Sequence, residues 1–219
     1  MNKPNRERKG EIKAISAIQL NEEQKEATRL IIENQIVIVT GPAGTGKSLV
    51  GAKIGLHFLH TKQAEKLFIT RAAIEVGRSL GYLPGGLDEK FNPYLEAFID
   101  NLNSCTTDRN LVGNLLEANK IIAAPIQFIR GKTINDVLII EEAQNTTKGE
   151  MLAMLTRLGK TGKIIINGDN DQKDTKEEFT GLSYAIELSK HIPEIKWVKL
   201  KENHRSDLVG KILDYEYGK

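Results

Sequence analysis

The sequence predicts an α/β domain, a mainly parallel sheet with helices on both faces. Three observations predict it. Short uninterrupted runs of apolar, largely β-branched residues recur along the chain, and such runs suit strands buried on both faces, as in a parallel sheet. Stretches of helical pattern separate the runs, and this alternation is what crossover connections between parallel strands require. A G-x-x-x-x-G-K-[ST] segment lies between the first run and the helical pattern after it, which is the strand–loop–helix context that gives this motif meaning.

The elements follow in order. Asn21 can cap a helix and Gln24, three residues on, can reach back to it, so a helix is expected to run to about Glu33. Strands are expected at 36–40, 67–70, 121–123, 137–140 and 164–166. The run at 195–200 alternates apolar and polar residues and reads as an edge strand. Helices are expected at 47–60, 93–103, 107–118, 147–158, 180–190 and 206–216. Pro93 suits a first helical position after Asn92, and Thr147 with Glu150 repeats the capping-box pattern. Residues 72–92 hold Gly77, Gly81, Pro84, Gly85 and Gly86 and read as a loop-rich excursion at the C-terminal edge of the sheet.

Composition excludes several classes. The 219 residues suffice for one domain with a sizeable core and are too few for two of full size. At 40% hydrophobic and 27% charged, the chain is neither disordered, collagen-like nor membrane-spanning. With 31 Lys+Arg against 29 Asp+Glu, no global basic field marks a nucleic-acid binder, so any such site is local. Residues 1–18 are expected as a flexible basic tail, read either as a solvated end or as an arm touching phosphates, ahead of one domain over 19–219. The single cysteine, Cys105, forms no internal disulfide, which points to a reducing, cytoplasmic setting. His57 and His60 stand three apart, but no further ligand type joins them, so a zinc site is not expected.

The chemistry concentrates at three expected strand ends. Gly41, Pro42, Ala43, Gly44, Thr45, Gly46, Lys47 and Ser48 complete the phosphate-binding motif. Glycines let backbone N–H groups curl around phosphate, and the helix N-terminus adds partial positive charge. Lys47 is expected to bridge the terminal phosphates and Ser48 to offer its hydroxyl to Mg²⁺. Four apolar residues deliver Glu141 and Glu142 to the tip of a later strand. The usual pair is Asp then Glu, so Glu141 adds a methylene between backbone and metal. Glu142 is then the candidate base for an attacking water. The next strand ends in Gly168-Asp169-Asn170-Asp171-Gln172, where an amide or acid can sense a terminal phosphate.

Around these ends stand Thr70-Arg71, Glu75-Val76-Gly77, Leu80-Gly81-Tyr82-Leu83-Pro84-Gly85, Arg130-Gly131-Lys132-Thr133 with Asn135-Asp136, and Glu142-Ala143-Gln144-Asn145-Thr146-Thr147. With these runs the sequence closely resembles the PhoH-like family of P-loop ATPases. Leu155-Thr156-Arg157-Leu158-Gly159 and Gly168-Asp169 with Gln172 continue the resemblance, so that it covers residues 19 to 217. It implies a single RecA-like domain similar to those of superfamily 1 helicases, ATP and Mg²⁺ as ligands, and an association with phosphate starvation. An added nuclease domain, which some members carry, is not expected in this length. Gln24 is implied to read the adenine edge, beside its capping role, and Gln172 to sense the γ-phosphate. Arg205 is implied to stabilise charge in transfer, against a bland reading as a surface cation before a helix. His204 stands where helicases carry an aromatic, and Ser206 and Asp207 also depart from the pattern.

Arg71, Arg130, Lys132 and Arg157 are candidate contacts to single-stranded nucleic acid, RNA favoured, or to a neighbouring subunit; each also reads as an ordinary surface cation. The resemblance implies a homo-oligomer, with a hexameric ring as one form, because a strand clamp needs two such domains. Two alternatives stand beside an ATPase coupled to nucleic acid: an ATP-dependent binding switch with slow hydrolysis, and a small-metabolite kinase.

Overall fold

Apolar runs of five residues cannot leave either face in water, so the sheet they form must be covered on both sides. In the computed structural model the protein meets that demand with six parallel strands between two layers of helices. The structure describes residues 18–72, 87–129, 131–172 and 178–204, together with Leu208, Lys211 and Tyr215. The expected N-terminal tail lies outside these residues but for Ile18, and most of the expected helix over 206–216 lies outside them too.

The chain runs α1 (Glu22–Glu33), β1 (Ile36–Thr40), α2 (Lys47–His60), β2 (Leu67–Arg71), α3 (Leu87–Ser104), α4 (Leu111–Glu117), β3 (Ile121–Ala123) and α5 (Ile126–Ile129). It continues with β4 (Val137–Glu141), α6 (Lys148–Leu155), β5 (Lys163–Gly168), α7 (Gly181–His191) and β6 (Ile195–Lys199). The strand order is β3-β2-β4-β5-β1-β6, and each pairing is parallel. The alternating run is an edge strand, as its pattern predicts. Trp197 of β6 stays half exposed and donates its indole N–H to Thr40 Oγ1 at 2.8 Å.

Period-two alternation splits each inner strand between two cores. Val137 and Ile139 of β4 join Ala27, Ile31, Phe58, Phe98, Leu102 and Val112 beneath α1 to α4. Leu138 and Ile140 face the other way, against Ile126, Met151, Met154, Leu182 and Ala185 of α5 to α7. At about 1.5–3 kcal/mol per fully buried Leu or Ile, the sheet centre is the chief source of stability. The two capping boxes form as expected, Asn21 with Gln24 on α1 and Thr147 with Glu150 on α6.

Three helix boundaries differ from expectation. α3 begins at Leu87, so Pro93 lies inside the helix and residues 87–92 of the expected loop are helical. Burial of Phe98 and Leu102 against α2 anchors the helix and outweighs the hydrogen bond that proline removes. α4 begins only at Leu111, because Thr106 Oγ1 and Asp108 Oδ1 accept from the amides of Asp108 and Asn110 and hold a turn instead. α6 stops at Leu155, because Ile134 draws the chain away: its N–H donates to Arg157 O and its carbonyl accepts from Gly159 N, both at 2.7 Å.

Cys105 is fully buried, and burial pushes its thiol up to about 11. At pH 8 this leaves roughly a hundredfold less thiolate than an ordinary thiol holds. Iodoacetamide is therefore expected to leave the native protein unmodified and to label it once in denaturant. Mass spectrometry checks this, and rapid native labelling would contradict the buried placement. Among the described residues no helix is long and apolar enough to cross a membrane.

Candidate nucleotide site

The sheet order sets β4, β5 and β1 side by side, so the chain leaving each strand at its C-terminal end meets the other two. Three glycines of the loop after β1 have positive φ, Gly41, Gly44 and Gly46, and at two of them a Cβ would also clash. Gly41 has φ +150°, and a Cβ there would sit 2.3 Å from Leu200 O at the end of β6. Gly46, at φ +84°, opens α2, and a Cβ there would meet Gln24 Nε2 at 2.5 Å. Gln24 thus packs under the loop. Its Nε2 donates to Thr45 O at 3.0 Å while its Oε1 accepts from Asn21 N at 3.2 Å. The side chain is almost fully buried but still lines the cavity, so its capping role is realised and it also braces the phosphate loop.

Ser48 and Glu141, the two expected metal ligands, are in contact. Ser48 Oγ donates to Glu141 Oε2 at 2.7 Å, and Asn167 Nδ2 donates to Glu141 Oε1 at 2.8 Å. Burial holds the Glu141 carboxyl above the ordinary range, against those two hydrogen bonds and the nearby Lys47 charge, which pull it down. Lys47 Nζ folds over the loop and donates to Gly41 O at 2.5 Å and Pro42 O at 3.0 Å. Burial likewise raises Asp169, with the Lys47 charge opposing.

Glu142 follows on a strained backbone, φ 50° and ψ 45°, a left-handed conformation rare outside glycine. Its Oε2 accepts from Gln144 Nε2 at 2.6 Å. A cavity of about 520 Å³ opens over these groups, within the range of small-molecule sites. Lys47, Ser48, Glu141, Glu142, Asp169 and Gln172 line it together with Ile18, Gln19, Gln24 and His204. His204 belongs to a strap laid across α1 and the loop. Its amide donates to Gly44 O at 3.0 Å, and Glu23 Oε2 accepts from the amides of Lys201 and Glu202 at 2.6 and 3.1 Å.

The residues fit a nucleotide with its divalent cation. Glycine-shaped backbone, a lysine and a helix N-terminus converge on one cavity, and a hydroxyl beside a carboxylate makes a hard oxygen donor set. Asn167 Oδ1, buried and without a protein partner, supports the same reading: a polar atom is held at the cavity for something other than protein.

The other sequence candidates fall apart in space. Arg71 pairs in register with Glu141 and lines a small second cavity of about 90 Å³ that adjoins the acidic pair. Lys132 and Arg157 lie on the segments entering β4 and β5, at the opposite edge of the sheet from the loop, and Lys132 Nζ stands 5.4 Å over the Phe68 ring. Arg130 and Arg205 lie outside the described residues. The two amides that hold the acidic pair, Asn167 on Glu141 and Gln144 on Glu142, carry no role in the sequence reading. A polar residue closing the run Ile164-Ile165-Ile166 was the available signal for the first. For the second there was only its place two residues after Glu142.

Comparison with known proteins agrees with this geometry. A family model described as PhoH-like protein matches residues 16–216. The chain is 40% identical over 197 residues to the PhoH-like protein of Mycobacterium tuberculosis, covering 87% of this chain and 55% of that one. It is 39% identical over 195 residues to the PhoH-like protein of Bacillus subtilis, covering 87% and 61%. The chain thus spans between half and two thirds of the length of these curated relatives. Among solved structures, the large terminase of a thermophilic bacteriophage superposes with a TM-score of 0.55 at 10% identity, covering 90% of this chain and 50% of that one. The UvsW helicase of bacteriophage T4 gives 0.50 at 11%, covering 83% and 60%. At such identities these likenesses speak for the fold, a RecA-like P-loop domain. With the loop, the acidic pair and the turn after β5 met in one cavity, and with a family match over nearly the whole chain, the protein belongs to the family of PhoH-like proteins.

Proposed function

We propose that the protein hydrolyses ATP with Mg²⁺ and that single-stranded nucleic acid, RNA in preference to DNA, stimulates the turnover. One observation carries the hydrolysis: Glu142, a carboxylate held by Gln144 on strained backbone, faces the same cavity as Lys47 and Ser48. Ser48 and Glu141 would hold the cation, which when bound neutralises charge on the phosphate oxygens. Lys47 exchanges its contacts to loop carbonyls for the terminal phosphates. Glu142 orients water in line with the γ-phosphate and accepts its proton. Gln172, which lines the cavity, and Arg205 steady the charge that develops. Gln24 and His204 line the same cavity and would border the base.

Coupling to nucleic acid is supported by the fold shared with a protein named as a helicase and by Arg71, whose cavity adjoins the acidic pair. A ring of identical chains, a hexamer as one form, in which an arginine completes a neighbour's site, would supply the second half of a strand clamp. The competing reading, a slow ATP-dependent binding switch, rests on Glu141. Its longer side chain already spends both oxygens on Ser48 and Asn167.

Phosphate release by the purified protein is the test, measured alone, with single-stranded RNA and with single-stranded DNA, with Glu142→Gln as the blank. Several-fold stimulation by RNA is the expected result. Basal turnover indifferent to both polymers would favour the switch. No turnover above the blank in any condition would overturn the ATPase reading.

A further inference from the structure

We propose that Gln144 is a positioning residue, whose buried amide ties the carboxylate of Glu142 to the turn that follows β5. The inference rests on the ATPase reading above and deepens it by naming what aims the base.

The geometry is specific. Gln144 is 1% exposed and sits in the tight turn Ala143–Asn145. Its Nε2 donates to Glu142 Oε2 at 2.6 Å and to Gln172 O at 3.2 Å. Its Oε1 accepts from Asp169 N at 3.0 Å. Both amide hydrogens and one oxygen lone pair are therefore engaged. The orientation is not interchangeable. A flipped amide would set its oxygen against two acceptors, Glu142 Oε2 and Gln172 O, and its NH₂ against the Asp169 N–H. Gly168 makes the approach possible, since a Cβ there would lie 2.8 Å from Gln144 Oε1.

Asp169 and Gln172 line the same cavity as Lys47 and Glu142, and Glu142 is the proposed base. One side chain thus holds the base on one side and two backbone groups of the phosphate-facing turn on the other. A shift of that turn is felt at the Glu142 carboxylate through Gln144. The aim of the base follows the state of the turn, with no contact between Gln144 and the reacting atoms.

The test compares Gln144→Met, which keeps length but removes all three hydrogen bonds, with Gln144→Glu. The glutamate keeps the shape and the acceptor for Asp169 N but replaces the donor to Glu142. Both are expected to lower kcat by about 10²-fold, the scale of an ångström-sized misplacement, with KM for ATP and Kd for MgADP within about threefold of wild type. Adding Glu142→Gln to either is expected to cost no more than Glu142→Gln alone, because Gln144 acts through that carboxylate. A folded variant with near-wild-type kcat, a parallel change in kcat and KM, or losses that multiply in the double variant would overturn the inference. So would failure of both variants to fold, which would make Gln144 a core residue. If Met alone fails to fold, Glu decides. A wild-type protein without turnover would instead overturn the ATPase reading itself.

Discussion

Glu142→Gln is expected to lower kcat for ATP hydrolysis by about 10²–10⁴-fold, the usual contribution of a positioned base, while ATP affinity stays within about threefold. The substitution is close to isosteric, and the new amide oxygen can still accept the 2.6 Å hydrogen bond from Gln144. The left-handed backbone at this position suits glutamine no worse than glutamate. What is removed is the capacity to accept a proton from water. Single-turnover kinetics with a separate binding titration give the two numbers. A fall in affinity with kcat unchanged would place Glu142 in nucleotide binding rather than in the chemical step.

Lys47→Ala is expected to weaken MgATP binding by about 10- to 100-fold, since a hydrogen bond to a charged group is worth about 1.5–3 kcal/mol. The fold should survive. Lys47 lies at the first residue of α2, and its described hydrogen bonds run to the loop carbonyls of Gly41 and Pro42, which border the cavity and can take water instead. Isothermal titration calorimetry and a thermal melt separate the two effects. Unchanged affinity with an unchanged melting temperature would remove Lys47 from the phosphate site.

The helix boundaries that differ from expectation share a cause with the scatter of the candidate cations. Pro93 is a good local marker of a helix start, yet α3 begins at Leu87, because Phe98 and Leu102 gain more from packing than a proline costs. The end of α6 is set by Ile134, a residue that precedes the helix and pairs with the chain beyond it. Lys132 and Arg157 look alike in sequence to Arg71 as candidate cations. Only Arg71 stands at the tip of a strand neighbouring the acidic pair.

What the sequence by itself determined is local. It located the buried strands, the glycine loop between β1 and α2, the caps at Asn21 and Thr147 and the acidic pair at a strand tip. Each depends on residues within a turn or a few positions of one another, so period and spacing report it. Only the tertiary structure decided the rest. Ser48 reaches Glu141 across 93 positions of chain, and Asn167 reaches the same carboxylate across 26. Those contacts exist because β4, β5 and β1 are neighbours in the sheet. Neighbourhood in a parallel sheet is set by how the crossovers pack on its two faces, which no short window of residues encodes.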